Sequence, residues 1–252
     1  MKQHPPRVVA GTREQIDKAM KAIFSKSPAH SQLDDAVDIF ERLRATPPKQ
    51  ERSLQTLTRL LDAAEKVLEE DGLDAATVPI IARRAGVSVG VVYRRFKNKD
   101  ALICGVHERF LWRISEQNSM MLATLSRVQF TLQELLRGMI RGSVEAHRRK
   151  RNLIRALNQF SRTHDDPSIR NEAAKMNRAS TGALTALLLS HQGEIRHPDP
   201  EAAIQFAILM LASVLRAVLI DEEGVRGLSA PDDIEEQLTR MIFSYLGIQD
   251  RR

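Results

Sequence analysis

Residues 85–102 read AGVSVGVVYRRFKNKDAL, and they set two glycines and four Lys or Arg around a single tyrosine. Taken back to Arg83, the run holds six basic residues before the first carboxylate, Asp100. Placed on a helix, residues 88–96 put Val92 and Phe96 on one face, four positions apart. Val89, Gly90, Tyr93 and Arg94 fall on the other. A glycine inside a helix costs about 1 kcal/mol relative to alanine. Close approach of the backbone to a neighbouring surface is the usual reason to keep one there.

Upstream, Leu54, Leu57, Leu60, Leu61, Ala64, Val67 and Leu68 recur at helical spacing and predict a one-sided helix. Gly72 supplies its left-handed stop. Thr77 is a suitable N-cap for a second helix, with Pro79 in the first turn, where a missing N–H is harmless. Gly86 ends that helix, Ser88 caps a third, and Asn98 is placed to cap a fourth. Two short helices joined by a tight Gly turn are the sequence form of a helix-turn-helix.

The outer face of the third helix offers small residues, a tyrosine hydroxyl and a basic tail of Arg94, Arg95, Lys97 and Lys99. Lys99 falls in the first turn of the next helix, where a cation opposes the helix dipole. A phosphate bound there would make the free N–H groups and the lysine share one anion. A lean face with basic flanks fits the major groove of double-stranded DNA, base edges meeting the face and phosphates its edges. The missing carboxylates follow, since acids here would face the phosphate backbone.

The segment LLDAAEKVLEEDGLDAATVPIIARRAGVSVGVVYRRFKNKDALI (60–103), with its AGVS-x-G-x-x-Y-x-x-F-x-x-K core, resembles the DNA-binding domain of the TetR family of bacterial transcriptional regulators. The resemblance covers about 50 residues. It implies an all-α homodimer, with an N-terminal three-helix helix-turn-helix domain and a larger C-terminal helical domain for ligand binding and dimerisation. It also implies that Thr77 touches phosphate, that Ser88, Val89, Gly90, Tyr93 and Arg94 lie on the recognition helix, and that Lys99 holds phosphate. Two features depart from the family pattern: Arg95 stands where His or an aromatic is usual, and about 50 residues precede the first matching helix.

The composition agrees with a helical regulator. The chain has 252 residues, 42% hydrophobic but only 4% aromatic, and a formal charge of +6. Scarce aromatics favour helix over sheet, and the positive charge suits an anionic partner. Cys104 stands alone, which excludes an internal disulfide. His107, His147, His164, His191 and His197 lack tight metal-ligand spacing, so neither a metal nor a cofactor is expected. No G-x-x-x-x-G-K-[ST], G-x-S-x-G or H-E-x-x-H occurs, which argues against an enzyme.

The predicted division is 1–50 as a helical or partly disordered extension, 51–104 as the DNA-binding domain and 105–252 as the sensing and dimerisation domain. Helical signals continue through 105–252 without strand-like alternation, and two helices are expected to meet near 148–151. Asp166-Pro167, Asp199-Pro200 and Ser229 are expected to open helices, and Gly247 to close the last.

The stretch 202–220 is the most apolar, but Gln205, Ser213 and Arg216 interrupt it, so it reads as a buried helix and not a membrane span. With no apolar run of signal-peptide length at the N-terminus, a soluble cytoplasmic protein is expected. The helix at 201–220 is apolar nearly all round, and that at 230–246 carries Ile234, Leu238, Met241, Ile242 and Tyr245 on one stripe. Both call for cover by the same pair from a second chain; the alternative is a 201–220 helix wholly internal to its own sensor domain in a monomer. Leu215 and Ile242 are the positions where a charge is expected to break that dimer. Together these readings give a regulator, most economically a repressor released from a near-palindromic operator by an unknown small-molecule effector. An activator, or an architectural DNA-binding protein without an effector, is the alternative.

Overall fold

The computed structural model describes residues 9–10, 51–125, 128–164, 167–220 and 233–249. Helix dominates throughout. The exception is a two-residue parallel pairing of β1 (Val9–Ala10) with β2 (Val128–Gln129), too short to impose an alternating pattern on the sequence. Apart from Val9–Ala10, the expected extension at 1–50 lies outside the described residues, as do Asp166 and Ser229.

Two compact units emerge. In the first, α1 (Glu51–Glu70) ends as expected before Gly72, whose φ of +80° only glycine adopts without strain. A single helical turn, α2 (Gly72–Ala75), follows, and α3 (Val78–Ala85) and α4 (Val89–Tyr93) form the helix-turn-helix. Gly86 makes the turn at φ +67°, its N–H meeting the Ala82 and Arg83 carbonyls while the Val87 N–H donates to Ala82 O at 3.0 Å. That double closure is the left-handed helix stop glycine permits. α5 (Lys99–Leu125) then begins, and Asn98 caps it by accepting the Ala101 N–H at 2.8 Å.

The core of this unit gathers Leu60, Leu61, Val67 and Leu68 of α1 with Ile81, Val92, Phe96, Leu102 and Val106. It also takes in Leu153, Ala156, Leu157 and Phe160 of α7 (Arg151–Thr163), which follows α6 (Leu132–Arg149) after the single residue Lys150. The compact unit around the helix-turn-helix is therefore larger than residues 51–104 and includes 150–164 and the start of α8 (Pro167–Leu189).

Charge reinforces this packing. Arg109, 2% exposed, donates to Asp62 and Glu65 at 2.6 Å each, and Glu65 also accepts from Arg113 at 2.9 Å and Lys150 at 3.5 Å. Burial alone would raise the Glu65 pKa, but Arg109, Arg113 and Lys150 outweigh it and hold the carboxyl below its ordinary value. α1, α5 and the start of α7 are thereby cross-linked.

The second unit contains the far part of α5, α6, most of α8, α9 (Pro200–Leu215, continued by a π-helical turn at Arg216–Ile220) and α10 (Ile234–Leu246). Asp199 caps α9 by accepting the Ala202 N–H at 3.0 Å, and Gly247 closes α10 at φ +68°, both as the sequence predicts. α10 packs on α6 and α9, with Arg141 on Glu235 at 3.1 Å and the Arg137 guanidinium 5.0 Å from the Phe243 ring centroid.

The expected stripe of α10 divides in two. Ile234, Leu238 and Ile242 are buried within the unit, whereas Met241 is exposed and Tyr245 half-buried. Leu215 is buried as well. A charge at Leu215 or Ile242 would therefore disrupt the protomer's own core, so neither position serves as a specific probe of a dimer. The side chains standing outward are Phe206 at 49%, Leu209 at 60% and Met241 at 38%. Residues 200–220 are long and apolar enough to cross a membrane by length and composition, and 33% of the most apolar window is buried. The sequence expectation that this helix is buried thus holds for only part of it.

Candidate nucleic-acid interface and ligand pocket

The short α4 divides as its sequence predicts. Val92 is fully buried and Phe96 nearly so, while Tyr93 is 55% and Val89 38% exposed, beside exposed Gly90 and Arg94. A Cβ built on Gly90 would meet only Ser88 Oγ, at 3.9 Å. Among the described residues, no neighbour stands close enough to require that glycine.

Thr77 and Ser88 occupy N-cap positions with extended backbones, but neither hydroxyl makes a capping bond. At Thr77 the second helical residue is Pro79, which has no N–H to give. At Ser88 the third helical N–H, that of Val91, is taken by the Ser88 carbonyl at 2.9 Å. Both side chains are exposed, with hydroxyls uncommitted to the caps they were expected to make.

The basic residues divide into two groups. Arg84 pairs with Glu70 and, at 3.6 Å, with Asp71. Arg95 donates to Ser53 Oγ at 2.8 Å, pinning the end of α4 to α1, and its pKa is lowered by burial and then by neighbouring Arg94. That contact supplies a structural role for the residue that departs from the family pattern. Arg94 and Lys97 stand exposed. Lys99 lies between the two groups. Its Nζ donates to Leu73 O at 2.9 Å, which fixes the ammonium between α2 and α5 and leaves two further N–H donors. The surface can thus place backbone, a phenol, two hydroxyls and three cations against one polyanion.

A cavity of about 550 Å³ lies in the second unit among α5, α8 and α9. Met121, Leu184 and Ile208 give it an apolar body; Asn118, Asn177 and Gln205 bring amides. Asn118 Nδ2 donates to Ser180 Oγ at 3.1 Å, joining α5 to α8 in the wall. The volume falls within the range of about 300–1,000 Å³ common for small-molecule sites. The sequence alone assigns no ligand site; the signal it carries is Gln205 inside the apolar stretch 202–220. Among the described residues, no group of three or more His, Cys, Asp or Glu is placed to hold a metal ion.

Residues 60–104 match the family of bacterial regulatory proteins, tetR family, and residues 131–246 match the tetracyclin repressor-like C-terminal domain. The HTH-type transcriptional regulator BetI of Vibrio atlanticus is 25% identical over 187 residues, covering 74% of this chain and 86% of that protein. An HTH-type transcriptional regulator of Bacillus subtilis, YvdT, is 37% identical over 59 residues, 23% of this chain and 30% of that protein. That match therefore spans less than a third of the relative's length. Among solved structures, the fatty acid degradation regulator FadR from Bacillus halodurans superposes with a TM-score of 0.54 at 18% identity, covering 78% of this chain and 97% of its own. A TetR-family regulator from Mesorhizobium loti gives 0.56 at 18% identity, over 79% and 98%. At these identities the structures establish the fold.

Proposed function

This chain belongs to the TetR family of bacterial transcriptional regulators and is a DNA-binding regulator, and from that premise we propose that it is a homodimeric, effector-released repressor acting in the cytoplasm. Two copies of α4 enter successive major grooves of a near-palindromic operator. Val89, Gly90, Tyr93 and Arg94 meet base edges and backbone there, while Thr77, Ser88 and Lys99 hold phosphates. The single observation that carries this reading is Gly90, a glycine in the first turn of α4 with open space before it and exposed Arg94 four residues on.

Likeness to a tetracyclin repressor-like C-terminal domain supports repression over activation. The cavity among α5, α8 and α9 is the effector site in this reading. Exposed Phe206 of α9 and Met241 of α10 are covered by the same helices of a second copy, whose two-fold axis also sets the operator symmetry. Footprinting on random-sequence DNA enriched by the protein tests the proposal. The expected result is a near-palindromic protected site; protection without sequence preference would instead indicate an architectural protein.

A further inference from the structure

Among the described residues, none of the side chains lining the cavity among α5, α8 and α9 is ionisable. From this we infer that the cavity takes an uncharged, largely apolar small molecule bearing a carbonyl, hydroxyl or ester group, an inference that rests on this cavity being the effector site. The chain is not short of charge, with 38 Lys and Arg and 32 Asp and Glu, yet among the described residues no such side chain lines this space. A carboxylate or ammonium entering it would shed hydration without meeting a countercharge, and that loss is far larger than for a neutral polar group.

The lining also says what replaces charge. An amide side chain offers both donors and an acceptor, so Asn118, Asn177 and Gln205 can satisfy a neutral oxygen of either kind. The bond from Asn118 to Ser180 holds one of these amides in the wall before any ligand arrives. Met121, Leu184 and Ile208 then cover the apolar remainder.

Two fluorescent probes with one aromatic body test this on the full chain: neutral N-phenyl-1-naphthylamine and the anionic 8-anilinonaphthalene-1-sulfonate, with octylamine as a cationic competitor against 1-octanol. The neutral probe is expected to bind at least about tenfold more tightly than the sulfonate, a preference of about 1.4 kcal/mol, and 1-octanol to displace it better than octylamine does. Asn118→Lys should narrow or reverse the preference. Asn177→Lys, at an exposed wall position, repeats the test should the first variant fold poorly. Ala183→Trp and Ala212→Trp, both entering from exposed wall positions, should abolish binding of the neutral probe while circular dichroism stays native.

Equal or tighter binding of the sulfonate by the unaltered chain overturns the inference. So does neutral-probe binding that survives both tryptophan variants, since the probe then sits elsewhere. Operator release is read separately. A neutral probe that binds with the expected preference yet leaves DNA affinity unchanged refutes the effector reading while upholding the cavity's chemical selectivity. Release of DNA by the charged probe alone does the reverse.

Discussion

Tyr93 and Phe206 are both aromatic side chains held outward from a helix, each about half exposed, yet their surroundings differ. Around Tyr93 stand Arg94, Lys97 and Lys99, with a bare glycine three residues before it. Phe206 meets Tyr245, their ring centroids 5.4 Å apart, and exposed Leu209 follows it three residues on along α9. An exposed apolar group by itself says little about its partner. The charge beside it is more informative: cations and backbone access suit a polyanion, and a continuous apolar face suits a surface like itself. In the proposed function, DNA and a second copy of the chain thus take different faces by the same rule.

The largest expected effect comes from breaking the apolar face. Phe206→Glu adds a charge at a position 49% exposed, where surface substitutions shift stability by only about 0.5 kcal/mol. Sedimentation at micromolar concentration should then show monomers where the unaltered chain gives dimers. Operator affinity should fall with it, since losing the linked second head removes about 10²–10⁴-fold in avidity. A monomeric unaltered chain, or a monomeric variant with full operator affinity, would break the comparison at this end.

Gly90→Leu attacks the other face. Because a Cβ there meets open space, leucine should leave the melting temperature unchanged or raise it, by helix propensity of up to about 1 kcal/mol. Operator binding should nevertheless drop about a hundredfold or more, as base contacts of about 1–3 kcal/mol each are displaced together. Retained affinity per folded molecule would show that the glycine is not an approach point. Tyr93→Ala should have a smaller effect, about tenfold in affinity at fixed salt, while Val89 and Arg94 variants should also change which sequences are preferred in a selection from random DNA.

The helix-turn-helix was legible in the sequence because its signals are local. The Gly86 turn, the four-residue spacing of Val92 and Phe96 and the Asn98 cap each act within a few residues, and all three appear in place. Thr77 shows where a local rule meets a local obstacle: Pro79 removes one of the two N–H groups its hydroxyl could have met. α7 fails for a distant reason. The spacing of Leu153, Ala156, Leu157 and Phe160 announces a buried face, but periodicity does not say what buries it, and the partner is α1 from about 90 residues earlier. The cavity is less legible still. Asn118, Asn177 and Gln205 lie on three helices, and only tertiary packing brings their amides together.

Lys99 offers the smallest effect and the finest division between structure and recognition. One N–H of its ammonium is already engaged by Leu73 O at 2.9 Å, so a fold-tether and a phosphate clamp make different demands on the same atom. Lys99→Met removes both. Loss of the tether should cost about 1 kcal/mol of stability, the ordinary net contribution of one hydrogen bond. Loss of the clamp should reduce the slope of log affinity against log salt by about 0.9 for each head on the DNA, with only a modest fall in affinity at moderate salt. Lys99→Arg keeps the cation but not its compact geometry. It should restore the salt slope even where it fails to restore the melting temperature. Should the methionine variant lose stability while its salt slope stays that of the unaltered chain, Lys99 is a tether alone. Recognition would then rest on Arg94, Lys97 and the hydroxyls of Thr77 and Ser88, and the polyanion-facing surface would be narrower than its charge suggests.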